Sequence, residues 1–439
     1  MSRIHGKALL ATTLCMLAGG ASHAQSQPPS AAKPQLKLVV ILSRHGVRSP
    51  TWTQSRLDSY SVQPWPSWNV PPGNLTVQGH RLLTRFGSFD RASLAANGLL
   101  APAGCADAAS TYIWADTDQR TIESGHALAE GLFPGCTLPL HGLPEGQNDP
   151  LFHPAADGVR PTEAAAAFAE LSARVKQPAD PQLSEFVAEL RHLLLGCAPR
   201  SSSCVPQRTP EAQLSTEPLA ALRGKGDHMV DLAGPLPFAS SFAEDLLLEY
   251  ADGMPMAQVG WGKVDEADIG RLLALHTGDF ELLHRTPAIA KVEASNMLAH
   301  ITHTLQQGVE RKPVDGAVGG ISTKVVLLVG HDTNIAAVAS LLGAHWQLDG
   351  RADDTPPGTE MAFELWQDAH GGYAVRVTAA MQTLRQLRDG SELTVAAPPA
   401  HQALSLPGCN AAKPCEWRQF QRIVNAAINV NDVVPMKTQ

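Results

Sequence analysis

Two short clusters in this 439-residue chain hold residue types that can do chemistry together. The first is Arg44-His45-Gly46-Val47-Arg48-Ser49-Pro50-Thr51. Arg44 and Arg48 offer rigid guanidinium forks that match tetrahedral oxyanions. His45 lies between them, and flanking cations disfavour its protonation, which keeps a neutral, nucleophilic imidazole. The second cluster is Gly330-His331-Asp332-Thr333-Asn334. It adds another imidazole, a carboxyl group able to carry a proton, and two residues able to cap a helix. A third polar stretch, Asp116-Thr117-Asp118-Gln119-Arg120-Thr121, contributes Arg120. Arg44, His45, Arg48, Arg120, His331 and Asp332 are mostly cationic or potentially so, and the guest they suit is a phosphate group.

Each cluster directly follows an apolar, β-branched run, at 36–43, 110–115 and 324–329. Such runs read as buried strands. Placing the clusters at carboxyl ends of strands puts them where ligands bind in α/β sheets. Two more strands are expected at 361–366 and 373–380, with Gly371-Gly372 as the turn. Helical spacing of apolar residues marks 78–97, 121–132 and 334–342. Strands alternating with helices predict an α/β fold, a central mostly parallel sheet flanked by helices. From 154 to 299 the chain favours helix, at 162–174, 182–195, 238–250 and 265–283, with no strand, and 195–210 reads as an exposed loop. The expected organisation is an α/β domain of residues 25–153 and 285–439, split by a mostly helical inserted domain at 154–284.

Arg3 and Lys7, the apolar stretch 8–20 and Ser22-His23-Ala24 form a secretory signal pattern, residues 1–24, with cleavage after Ala24. Removing it takes the formal net charge from −8 to −10. A periplasmic or secreted protein is expected. No other stretch reaches the ~18–20 apolar residues of a membrane span, so no membrane association is expected. Cys15 falls in the leader, leaving Cys105, Cys136, Cys197, Cys204, Cys409 and Cys415. An even number in an exported chain reads as disulfides. Proximity favours Cys197–Cys204 and Cys409–Cys415, which leaves Cys105–Cys136, and the absence of any C-x-x-C disfavours a zinc or thioredoxin-type site. His300 and His303, one helical turn apart, read as surface histidines rather than metal ligands. The acidic balance argues against a nucleic-acid partner. The absence of G-x-S-x-G and Walker motifs disfavours a serine hydrolase and a nucleotide kinase.

With the motifs at 44–51 and 331–334, the chain resembles the histidine acid phosphatase branch of the histidine phosphatase superfamily, and within it the bacterial periplasmic phytases. Asp116–Thr121, Trp261-Gly262, Asp354-Thr355-Pro356-Pro357-Gly358 and Gln382-Thr383-Leu384 add to the resemblance, which is weakest over 150–235. It implies a phosphohistidine mechanism. His45 would take the phosphoryl group. Arg44, Arg48, Arg120 and His331 would hold its oxygens. Asp332 would protonate the leaving alkoxide and later help deprotonate water. No metal or cofactor is implied, because guanidinium groups supply the positive field. The substrate would be a small phosphomonoester, phytate or a sugar phosphate, the enzyme a monomer, and the pH optimum acidic. Glu244 and Arg285 align with substrate contacts of the phytases, although either equally reads as a solvated helix charge. Thr51 aligns with the substrate mouth. Trp52 stands where this group has a lysine, and a fourth disulfide common in the group has no cysteines here. Trp52, Trp65 and Trp68 could line the cleft or pack a loop. Gly46 and Thr333 favour the phytase side. Trp52 favours a sugar-phosphate phosphatase such as a glucose-1-phosphatase. A non-catalytic phosphate-binding protein is the remaining alternative, and Asp332 speaks against it, since binding needs no proton donor.

Overall fold

The structure, a computed structural model, describes residues 33–177, 180–206, 208–225 and 228–436. The signal segment, Cys15 and the cleavage site after Ala24 lie outside the described residues.

The first part of the chain forms β1 (Gln35–Arg44), α1 (Gln54–Ser59), α2 (Val77–Ala96), β2 (Thr111–Ala115), α3 (Gln119–Leu132) and β3 (Leu140–His141). The middle forms α4 (Pro161–Arg174), α5 (Pro181–Leu194), β4 (Ala220–Arg223), β5 (Val230–Ala233), α6 (Leu236–Ala251), α7 (Glu266–Leu272) and α8 (Ala274–Leu283). The last part forms α9 (Pro287–Glu310), β6 (Val325–Gly330), α10 (Asp332–Leu341), β7 (Gln347–Leu348), β8 (Arg351–Ala352), β9 (Glu360–Gln367) and β10 (Tyr373–Met381). It closes with α11 (Leu384–Asp389), β11 (Ala400–Ala403), β12 (Cys415–Glu416) and α12 (Trp417–Ala427).

The main sheet runs β11-β10-β9-β1-β6-β2-β3, with β12 paired to β10. β1, β6, β2 and β3 pair in parallel, while β9, β10, β11 and β12 are antiparallel additions on one side. The continuous apolar character of β1 and β6 suits strands covered on both faces, and β6 is buried along its whole length. One face packs Leu38, Val40, Leu328 and Phe363 against α9, α10 and α12. The other packs Val39, Ile41, Leu327 and Val329 against α2 and α3. A separate apolar core joins α5, α6, α7 and α8, and it also takes in Val47, Leu57, Trp65, Leu384 and Leu387.

The middle region departs from expectation in two ways. It contains an antiparallel hairpin, β4 with β5. Four-residue strands, one of them largely exposed, leave too little alternation to be seen in sequence. The helix expected over 265–283 is two helices, meeting at Leu273. His300 is also not on the surface. It is 1% exposed, and its ring nitrogens lie 2.6 Å from the Gly316 carbonyl oxygen and 2.9 Å from that of Val434.

All three expected disulfides form, Cys105–Cys136, Cys197–Cys204 and Cys409–Cys415, with Cα separations of 5.6, 5.7 and 5.4 Å. One buried contact between α2 and the sheet is unusual. The Asp90 and Glu360 carboxyl groups hydrogen-bond each other, and burial pushes the Asp90 group up to about 8 and Glu360 well above its ordinary value. Glu360 sits opposite Ser43 on β1. Among the described residues no helix is long and apolar enough to cross a membrane.

Candidate active site

Strand register brings the clusters together. Arg44 pairs with Gly330 across β1 and β6, and Ala115 pairs with Val329 across β2 and β6. The three strands therefore end level. The His45 amide donates to the Gly330 carbonyl at 2.9 Å, and the Asp116 amide donates to the Val329 carbonyl at 3.0 Å. His45, His331 and Asp116 leave the sheet side by side, with the two imidazole centroids 5.6 Å apart. The loop after β1 lies tightly under α2. A Cβ on Gly79 would come 2.2 Å from the Val47 carbonyl oxygen, which excludes a side chain there, and one on Gly46 would press on the Leu83 side chain at 2.8 Å. Asn334 accepts from the His331 amide at 2.9 Å and closes the first turn of α10. The N-termini of α3 and α10 thus open at the site, where their dipoles favour negative charge.

His45 is 2% exposed, and its Nδ1 lies 2.9 Å from the Gly46 carbonyl oxygen. A carbonyl only accepts, so Nδ1 carries the hydrogen and Nε2 keeps its lone pair. Burial, with Arg44, Arg120, Arg48 and His331 around it, holds the His45 pKa well below the ordinary histidine value. The ring stays neutral into the acid range, as the flanking arginines led one to expect.

The arginines are already matched by carboxylates. Arg44 Nη2 pairs with Glu244 and lies 2.7 Å from Asp332 Oδ2, while its Nη1 donates to the Thr355 carbonyl. Arg48 Nη2 lies 2.8 Å from the second Glu244 oxygen, and Arg120 lies 2.6 Å from Asp118. Burial would raise the Glu244 carboxyl, but Arg48 and Arg44 outweigh it and hold it low. Asp332 behaves the same way: burial opposes its charge, and Arg44 still keeps it below the ordinary carboxylate range. The site is therefore a set of guanidinium groups neutralised by carboxylates, rather than a bare positive pocket. An arriving anion competes with Glu244 and Asp332 for the same forks.

His331 donates from Nε2 to Asp116 Oδ2 at 2.6 Å, and His153 Nε2 reaches the same oxygen at 2.8 Å. Burial would raise Asp116, but these two hydrogen bonds hold it low. Burial lowers the His331 pKa, with Arg120 acting in the same direction and Asp116 against it. Thr51 is exposed at the rim, and Gly73 separates it from Arg120; a Cβ on Gly73 would lie 3.7 Å from both.

Glu244 of α6 is thus no solvated helix charge, since it is 8% exposed and bridges Arg44 and Arg48. Arg285 is placed apart from the arginine cluster. It donates to the Ala344 carbonyl at 2.7 Å, lies 3.3 Å from Asp353, and covers Trp346. Trp65 is buried against Phe242 and Trp261. Trp52 packs on Tyr60, Phe238 and Phe242, with the Arg56 guanidinium 3.5 Å above its ring. Asp116, His153 and His276 also belong to the site region, yet none stands beside an Arg-His or His-Asp pair, and His153 and His276 come from distant segments. The groups Asp116/His153/His331 and Glu244/His276/Asp332 each have donor atoms close enough to hold a metal. A large cleft of about 1470 Å³ lies elsewhere, between α5, α7, α8 and the β7–β8 hairpin, and none of the strand-end residues lines it.

The family model described as histidine phosphatase superfamily (branch 2) matches residues 35–379. Phytase AppA of Escherichia coli is 35% identical over 413 residues, covering 90% of this chain and 93% of that one. The glucose-1-phosphatase of Salmonella typhimurium is 28% identical over 435 residues, covering 96% and 99%. Among solved structures, Hafnia alvei phytase in complex with myo-inositol hexakis sulphate superposes with a TM-score of 0.78 at 34% identity, covering 92% of this chain and 100% of that one.

Proposed function

The chain belongs to branch 2 of the histidine phosphatase superfamily, and on that footing we propose that it is an exported acid phosphomonoesterase that works through a phosphohistidine on His45 and acts on phytate-like substrates. The observation that carries this reading is the state of His45. Its Nδ1–H is committed to Gly46, and its Nε2 lone pair is free beside Arg44, Arg48, Arg120 and His331. In the first step Nε2 attacks phosphorus as the phosphorus–oxygen bond to the alcohol breaks. The guanidinium groups and His331 stabilise charge on the equatorial oxygens. Asp332 gives its proton to the leaving oxygen. In the second step Asp332 takes a proton from water as the water oxygen bonds phosphorus, and the electron pair of the breaking nitrogen–phosphorus bond returns to Nε2. A phosphate dianion that draws Arg44 away from Asp332 removes the charge that holds this carboxyl low. Substrate binding itself thereby favours the protonated acid.

Export is supported by the signal pattern of residues 1–24 and the three disulfides. Residues 154–284 are read as the inserted domain, monomeric action is part of the proposal, and Thr51 and Glu244 are read as substrate-side groups. The placement of Arg285 does not support the same role for it. The test is phosphate release from phytate, glucose 1-phosphate and p-nitrophenyl phosphate by wild type and His45→Ala, with acid quenching to trap an acid-labile phosphoprotein. Loss of both release and phosphoprotein in the variant is expected. Full activity in His45→Ala would sink the mechanism. The second reading, a glucose-1-phosphatase-like enzyme, is favoured by Trp52, an aromatic residue beside Thr51 where the phytases have a lysine. Trp52→Lys should then shift preference from glucose 1-phosphate toward phytate, and unchanged preference counts against a role for Trp52 in selection.

A further inference from the structure

The imidazole of His276 is buried beside the acid–base group. It stands in the first turn of α8, is 5% exposed, and packs its ring on Phe280 at 4.1 Å between centroids. Its Nδ1 lies 3.1 Å from Ser240 Oγ of α6, and the Ser240 side chain also hydrogen-bonds Asp279 of α8. Its Nε2 is buried without a hydrogen-bond partner and lies 3.9 Å from Asp332 Oδ2. The charged and titratable groups facing this pocket are Glu244 from α6, Asp279 from the middle of α8, His284 just after it, and Asp332 at the start of α10, with Arg44 beyond. A buried imidazole nitrogen with no partner is costly. One aimed at the carboxyl group that must gain and lose a proton has a use for that freedom.

We propose that His276 is a positioning residue that moves a proton onto Asp332 when substrate phosphate draws Arg44 away, with Ser240 and Asp279 completing the relay behind it. The proposal rests on the phosphohistidine reading above. With the site empty, Arg44 holds Asp332 as a carboxylate. When phosphate takes over the Arg44 fork, the gap from Nε2 to Oδ2 closes to hydrogen-bonding length, as catalytic contacts do on forming the substrate complex. The Nε2–H bond then breaks as the Oδ2–H bond forms, while the Ser240 hydroxyl gives its proton to Nδ1 and the Asp279 carboxyl, raised by burial, gives its proton to Ser240 Oγ, so the imidazole stays neutral. Asp332 passes this proton to the leaving oxygen, regains one from water in the second step, and returns it through His276 when phosphate leaves and Arg44 comes back. No proton is gained or lost over the cycle.

Leaving-group dependence separates this role from a structural one. p-Nitrophenolate leaves without protonation, whereas an alkoxide does not. In His276→Gln, kcat/KM for glycerol 2-phosphate should fall by roughly tenfold or more, while that for p-nitrophenyl phosphate changes by less than about threefold. Ser240→Ala should show the same bias at smaller size, and it serves if the first variant folds poorly. An equal loss on both substrates in both variants, or no loss on either, overturns the relay. His45→Ala runs in parallel: if it stays active, the phosphohistidine reading fails, independently of His276.

Discussion

Replacing Asp90 by asparagine should flatten the pH dependence of stability. Asp90 and Glu360 are carboxyl groups that bond each other in the interior between α2 and β9, where burial raises both. An Asp in the unfolded chain titrates near 3.8, while Asp90 in the folded protein is pushed up to about 8. Below 3.8 both states hold the proton, and the group costs nothing. As pH rises, the unfolded chain releases its proton while the folded chain keeps it. The folded state then loses about 1.4 kcal/mol per pH unit, or about 5–6 kcal/mol by pH 8 as a ceiling. Asparagine keeps a hydrogen-bonding side chain of the same shape and has no proton to lose. Denaturant unfolding at about pH 4, 6 and 8 measures the effect. The two proteins should agree within about 1 kcal/mol at pH 4 and diverge by about 3–6 kcal/mol in favour of Asp90→Asn at pH 8. Asp245, also pushed up to about 8 by burial, and Glu249, raised well above its ordinary value, tilt both curves equally and drop out of the difference. Parallel curves would refute the raised titration of Asp90.

Three further outcomes follow. The pH profile of kcat/KM should fall on the alkaline side, because Asp332 must carry a proton, and hold up on the acid side, because His45 resists protonation; a rate rising steadily from about pH 5 to pH 9 would contradict both roles. Arg48→Ala removes one fork and leaves Glu244 with Arg44 alone, so kcat/KM should drop by about 10²-fold or more in steady-state assays. Thr76→Ala removes the side chain that accepts from the Gly79 amide at the start of α2, and should cost about 1 kcal/mol in denaturant unfolding with activity retained.

The cluster at the strand ends was legible because each part is local. Arg44, His45 and Arg48 share one loop, His331 and Asp332 are adjacent, and apolar runs beside them announce strands of the right kind. Glu244 was legible only through family resemblance, since one acidic residue in a helix looks like any other until α6 packs it on Arg44. His276 and His153 carried no signal at all, for their partners lie across the fold at Asp332 and Asp116. Family resemblance put Arg285 with substrate, and in the fold its side chain meets Ala344 and Asp353, contacts that no local pattern announces. The β4–β5 hairpin escaped notice because four residues cannot display a period, and the burial of His300 depends on contacts to Gly316 and Val434 that no local pattern contains.

The position of β6 between β1 and β2 has a temporal side. Its residues come from Val325–Gly330, far later in the chain than the two strands it separates. Until that segment emerges, β1 and β2 have no shared neighbour, and the phosphate site has neither His331 nor Asp332. Closing such a long loop makes the central pairing a slow, late event. A chain still in synthesis is therefore catalytically silent, and a truncation ending before β6 should leave two strands exposed as aggregation-prone edges. Activity arrives only when nearly the whole chain is present.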